Sequence, residues 1–229
     1  MKTCLAFLVL NYLLYCITCQ NQNANVQTSV VCFSNNTLVE TLSNGFKRVS
    51  ELNYGDMVKT VDTATGKVDY SKFIDYLHYD KSIKSEFITI ETNNSYLEIS
   101  ELHLIQRKLE DNNHEFVYAR DLKLDDEIFV VVNDQMTIEK ITKLGRKQEI
   151  GAFAPLTESG TILVNNVLAS CYANCQSHTL SHIALAPLRL WHKLFSYEIS
   201  NEKSDFIHSY ATFLRVFEFT PFSMIIYHY

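Results

Sequence analysis

Between Cys32 and about Tyr172 the apolar residues come in short runs separated by turn residues. Met57-Val58-Lys59-Thr60-Val61, Phe87-Ile88-Thr89-Ile90 and Ile128-Phe129-Val130-Val131-Val132 are rich in β-branched and aromatic side chains and are of strand length. Asn44-Gly45 before Phe46 is a hairpin signal, and Ala64-Thr65-Gly66 marks another turn. Short strands at this spacing predict one mostly β domain. The flanks differ. Residues 1–19 read as a signal peptide: Lys2, an apolar stretch from Leu5 to Leu14, then small residues Thr18 and Cys19. That stretch is short for a membrane span, and a retained anchor is the alternative. Residues 20–31 are polar and aperiodic, a flexible peptide. Beyond 178 the pattern turns helical. Ile183 to Phe195 is apolar with Arg189, His192 and Lys193 interspersed, and Pro187 is expected to start or kink a helix. Phe206, Tyr210, Phe213, Leu214 and Phe217 fall near helical spacing, so 179–229 is read as a helical module with an apolar face. That face either docks on the β domain or meets a lipid surface.

Within the β region the chain repeats itself. Phe46-Lys-Arg-Val-Ser-Glu51-Leu52-Asn-Tyr-Gly-Asp56-Met-Val58 matches Phe116-Val-Tyr-Ala-Arg-Asp121-Leu122-Lys-Leu-Asp-Asp126-Glu-Ile128 without a gap. Aromatic, acidic-Leu, Asp and β-branched positions recur in register, which predicts a duplicated strand–loop–strand unit.

Charge changes the picture little. The 26 acidic residues exceed the 20 basic ones among 229, and no basic patch points to nucleic acid. A hydrophobic content of 47% with 6 glycines and 3 prolines implies a packed protein, expected to be a monomer. The cysteines say more. Removal of the signal takes Cys4, Cys16 and Cys19 and leaves Cys32, Cys171 and Cys175, an odd set that suggests a free reactive thiol in an oxidising compartment. Asn35 and Asn93 open sequons and are possible glycosylation sites in the secretory pathway. His114, His178, His182, His192, His208 and His228 lack motif context and are read as surface or interface residues.

The candidate chemistry centres on Cys32. Its sulfur is one residue beyond the Val31 carbonyl, so attack closes a five-membered ring and is effectively unimolecular. The product is a thioester, more reactive than the amide it replaces. The Val31–Cys32 bond is thus the expected cleavage site. The departing nitrogen needs a proton, for which His103 is the candidate, and Ser100 is the candidate partner of the scissile peptide. No metal or cofactor is expected.

Several segments carry a family resemblance: Cys32-Phe33, Tyr70 to His78, Ser100-x-x-His103-Leu104, Ala186-Pro187-Leu188-Arg189-Leu190, and above all the run Gly151 to Ala173. Together they resemble the autoprocessing domain of hedgehog proteins, including the nematode hedgehog-related ones, and the wider Hint superfamily shared with inteins. The resemblance implies a pseudo-twofold Hint β fold over 32–178, followed by a short helical adduct-recognition region over 179–229. It implies catalytic roles for Cys32, His103 and Ser100, with serine standing where the family usually has threonine. It implies that the thioester passes to a sterol, cholesterol in hedgehog proteins, as co-substrate. His78 stands where the family has the aspartate that activates the sterol, and is competent as a base because an unperturbed imidazole titrates near ~6.5. That departure leaves water or another alcohol as alternative acceptors. Cys171 matches a cysteine near the active site and could bridge to Cys32 or to Cys175. Val31 replaces the usual glycine, and its branched side chain is expected to slow cleavage. Only about a dozen residues lie between signal and Cys32, too few for a folded ligand. The competing expectation is a catalytically weak Hint-fold module that binds lipid or an extracellular partner.

Overall fold

The computed structural model describes residues 32–63, 65–111, 113–173, 177–194 and 206–207. The expected signal peptide, Val31, Cys175 and most of the aromatic tail lie outside them. The apolar runs do become strands: β1 (Leu38–Thr41), β2 (Gly45–Arg48), β3 (Met57–Val61), β4 (Val68–Glu91), β5 (Tyr96–Ile99), β6 (His103–Lys108), β7 (His114–Tyr118), β8 (Glu127–Val132), β9 (Gln135–Lys140), β10 (Lys143–Thr157), β11 (Thr161–Val164), β12 (Val167–Ala173) and β13 (Phe206–Ile207). Two helices follow β12: α1 (His178–Ala184) and α2 (Ala186–Leu194). The described fold is mostly β, with a small helical C-terminal part.

The strands form two sheets. One runs β10-β4-β3-β1-β2, with β5 and β13 also on β4; the other runs β11-β12-β6-β8-β9, with β7 on β6. The strands of both sheets feed a common core that includes Phe33, Phe73, Tyr79, Leu97, Ile105, Phe153 and Tyr172. Long β4 pairs with β10 through most of its length, and the register shifts between Ile150 and Ala152, then between Ala154 and Pro155. Both interruptions suit their residues. Gly151 has φ 89°, open to glycine without strain, and Pro155 has no N–H to offer a continuous ladder.

The repeat is visible in three dimensions. β2 leads through a one-turn 3-10 helix (Val49–Glu51) to β3, and β7 leads through another (Ala119–Asp121) to β8. The turn before each second strand is held alike. Asp56 Oδ2 accepts from Asn53 N, and Asp126 Oδ2 accepts from Lys123 N, both at 2.9 Å. Leu52 and Leu122 are both buried. A carboxylate that caps its own turn and a leucine that plugs the core explain why this pattern survived in both halves.

The helices dock on the β domain through Ser181, Leu185, Leu188 and His192. The sequence places a proline at the second residue of α2, where its missing N–H costs nothing, and the helix breaks between Ala184 and Ala186 rather than kinking. One expectation fails. Phe206, read at helical spacing, lies in β13, where Phe206 pairs with Tyr79 and Ile207 with His78 of β4. There β4 has an edge opposite β10, and satisfying its backbone groups outweighs a weak periodic signal. The rest of the aromatic tail lies outside the described residues. Among the described residues no helix is long and apolar enough to cross a membrane.

Candidate active site

Cys32 and Phe33 insert as a short extended segment between two strands. Phe33 bridges to Phe153 of β10 and to Ile99 of β5, exchanging both backbone hydrogen bonds with Phe153 at 2.9 and 3.1 Å. Ser100, just past β5, donates its N–H to the Cys32 carbonyl at 3.1 Å. In return the Cys32 N–H donates to Ser100 Oγ at 2.9 Å. That N–H belongs to the expected scissile peptide. The Ser100 backbone also starts a turn, since His103 N donates to its carbonyl, and this turn delivers His103 to the first position of β6.

Three residues singled out from the sequence, Cys32, His78 and Ser100, therefore meet, and His103 packs on the neighbouring Phe33. Cys32 Sγ lies 3.1 Å from His78 Nδ1, which β4 presents opposite Ala154. Cys32 is fully buried, Ser100 and His103 are 1% exposed, and His78 is 8% exposed. Water is thus excluded, which decides the electrostatics. Burial raises the Cys32 thiol well above its ordinary value, and the Asp80 carboxylate adds to this. The resting sulfur is a thiol, inert until a base takes its proton.

His103 is held differently. Its Nε2 lies 2.8 Å from the Ser170 carbonyl. A carbonyl only accepts, so Nε2 carries the proton and Nδ1 is bare. Nδ1 is buried and, among the described residues, has no hydrogen-bond partner. Burial pushes this imidazole down to about 4, against the opposing pull of the Ser170 carbonyl. Its face packs on the Phe33 ring at 4.3 Å.

Cys32 and Cys171 are both free thiols. The Cys32 sulfur meets His78, and the Cys171 sulfur lies 3.4 Å from Thr157 Oγ1. Burial pushes Cys171 up to about 11. Its possible partner Cys175 lies outside the described residues. The sequons also differ in place. Asn93 is exposed in the turn after β4, whereas Asn35 is half-buried and accepts from Ser50 Oγ at 3.0 Å.

Sequence reasoning missed Asp80. It lies two residues beyond His78 on the same strand, so period 2 points both to one face, and that spacing was the available signal. Burial would raise its carboxyl, but the N–H groups of Ser82 and Ile83 and the Ser82 hydroxyl hold it below its usual range, with His78 adding to them. The helical histidines were also undervalued. His178 Nδ1 lies 2.9 Å from Ser170 Oγ and His182 Nδ1 lies 2.8 Å from Tyr172 OH. Their spacing of four on one helix was visible in the sequence. His192 is buried beside Tyr54, and His114 is exposed.

A buried cysteine that opens a two-sheet β domain and holds its sulfur against an imidazole points to the class of domains that process their own backbone. The Hint module family model matches residues 20–219. The chain belongs to the Hint family of autoprocessing domains. It is 32% identical over 189 residues to the sonic hedgehog protein of Xenopus laevis, covering 80% of this chain and 42% of that one. It is 32% identical over 209 residues to warthog protein 6 of Caenorhabditis elegans, covering 86% and 34%. The chain thus spans less than half the length of these relatives. Among solved structures it resembles a DnaB intein from Synechocystis, with TM-score 0.53 at 12% identity over 61% of this chain and 96% of that one. That likeness concerns the fold.

Proposed function

We propose that this chain cleaves its own Val31–Cys32 bond through an amide-to-thioester shift at Cys32 and then passes Val31 to a second nucleophile. The observation that carries this is the two-sided grip on Cys32: its N–H on Ser100 Oγ at 2.9 Å and its sulfur on His78 Nδ1 at 3.1 Å. One end of the residue is the leaving nitrogen and the other is the attacking sulfur.

The protons balance. His78 Nδ1 takes the thiol proton, and sulfur attacks the Val31 carbonyl carbon. The carbon–nitrogen bond then breaks, and the nitrogen of Cys32 becomes an amine by gaining one proton. That proton is the one His78 took from the thiol: His78 releases it, His103 Nδ1 carries it to the nitrogen, and His78 is neutral again for the second step. An imidazole held down near about 4 is a strong acid once loaded. Ser100 Oγ, an acceptor while the amide is intact, can turn its hydroxyl toward the amine lone pair, a contact made only as the bond breaks. The thioester that results is opened by an acceptor whose hydroxyl His78 deprotonates. We take that acceptor to be a sterol, with water as the competing outcome, and place the reaction in the secretory pathway because the relatives include hedgehog proteins.

The test is a reporter fused ahead of Gln20 in the full chain. Dithiothreitol or hydroxylamine releases the reporter, Cys32→Ala abolishes release, and labelled sterol becomes attached to it. A fusion that stays intact under every condition sinks the proposal and favours an inactive Hint-fold binding module.

A further inference from the structure

A second polar network, outside the nucleophile's own contacts, joins β12 to both helices. Tyr172 N donates to Ser170 Oγ at 2.9 Å, and His178 Nδ1 lies 2.9 Å from the same oxygen. Arg189 Nη1 donates to Tyr172 OH at 2.8 Å, and His182 Nδ1 lies 2.8 Å from that oxygen. The surroundings of both rings favour the neutral imidazole. Burial, then His182 and Arg189, push His178 down to about 4, and burial with Arg189 lowers His182. The two rings stack on one face of α1, and His178 also stacks on Phe116 at 4.4 Å.

Ser170 is the joint. Its hydroxyl belongs to this network, and its carbonyl takes the His103 Nε2–H. The β12–β6 pairing breaks register between Ala169 and Ala173, so Ser170 is paired with Thr161 of β11 but has no ladder partner on β6. We propose that His178 is a positioning residue for the autoprocessing reaction: by anchoring Ser170 through α1, it holds the carbonyl that fixes His103 with Nε2 protonated and Nδ1 bare. The helical part of the chain then does more than dock on the β domain; it sets the tautomer of the imidazole at the reaction centre. This deepens the processing role proposed above and rests on it.

The test uses the full chain and two readouts. Nitrogen-15 histidine spectra of the Cys32→Ala protein report the His103 tautomer without any cleavage. Dithiothreitol release from the reporter fusion reports the rate. His178→Phe keeps the stack on Phe116 but removes the hydrogen bond to Ser170 Oγ; His178→Gln, with both a donor and an acceptor, restores one. The expected result is a single Nε2–H tautomer for His103 in the parent and in His178→Gln, and a mixture in His178→Phe with a rise in its titration. Release in His178→Phe falls by about tenfold or more, since small misplacements of a catalytic group have effects of that size, and His178→Gln recovers most of it. A His103 tautomer unchanged in a folded His178→Phe protein overturns the proposal, as does failure of His178→Gln to restore the tautomer. If the parent fusion does not cleave, the processing role falls, while the spectra still decide this one.

Discussion

Ser100 and His78 are the residues whose substitution tests the grip on Cys32. Ser100→Ala leaves the buried Cys32 N–H without its acceptor and removes the hydroxyl that turns toward the leaving nitrogen. One hydrogen bond at about 1.4 kcal/mol corresponds to about tenfold, so dithiothreitol release should slow by about that factor, and Ser100→Thr should retain most of it. His78→Ala tests a point that only the geometry raised. A base used solely for the acceptor would leave thioester formation intact. Contact with the sulfur at 3.1 Å predicts instead that dithiothreitol release and sterol attachment both fall, and that raising the pH partly restores the first. Cys32, Ser100, His78 and His103 were each legible in the sequence because their motifs carry them. Asp80 was not, since its influence on Cys32 and His78 comes through space from a position with no motif. The tautomer of His103 was not legible either, because it depends on a carbonyl 67 residues away.

At the level of elements, the turn between β10 and β11 is the tightest joint. Gly160 has φ 75°, and a Cβ there would lie 2.5 Å from both His182 Nδ1 and Tyr172 OH. Left-handed backbone and a steric clash add, so Gly160→Ala should cost about 2–4 kcal/mol, read as a lowered urea midpoint. The duplicated unit shows how far pattern reaches. Phe46 to Val58 and Phe116 to Ile128 share a polarity pattern, and both fold as strand, 3-10 turn and strand with the same aspartate-capped turn. Those interactions are local, within a few residues, so the sequence carries them openly. The β13 strand is the contrary case. Phe206 and Ile207 pair with residues more than 120 positions earlier, and no local pattern announces a partner at that distance.

For the molecule as a whole, the buried imidazoles couple stability to pH. The ordinary value of His103 is 6.5 and the folded one is about 4. The unfolded chain therefore binds the proton first as pH falls, so this contribution is complete above 6.5 and is lost between 6.5 and about 4. For His103 the loss is about 3 kcal/mol, and His178, lowered in the same direction, adds to it. Urea midpoints should drop steeply from pH 7 to pH 4.5, and His178→Gln should flatten that slope. What the sequence determined by itself was the class of fold and the repeat, together with Cys32 as the candidate nucleophile, because strand periodicity, capped turns and the adjacency of Cys32 to Val31 are all local facts. Tertiary structure decided how the nucleophile is equipped. It put His78 against the sulfur, left Cys171 as a thiol beside Thr157, and tied His103 through Ser170 to a helix. Those outcomes depend on burial and on the direction of single hydrogen bonds between distant strands, which arise only when the two sheets close on a shared core.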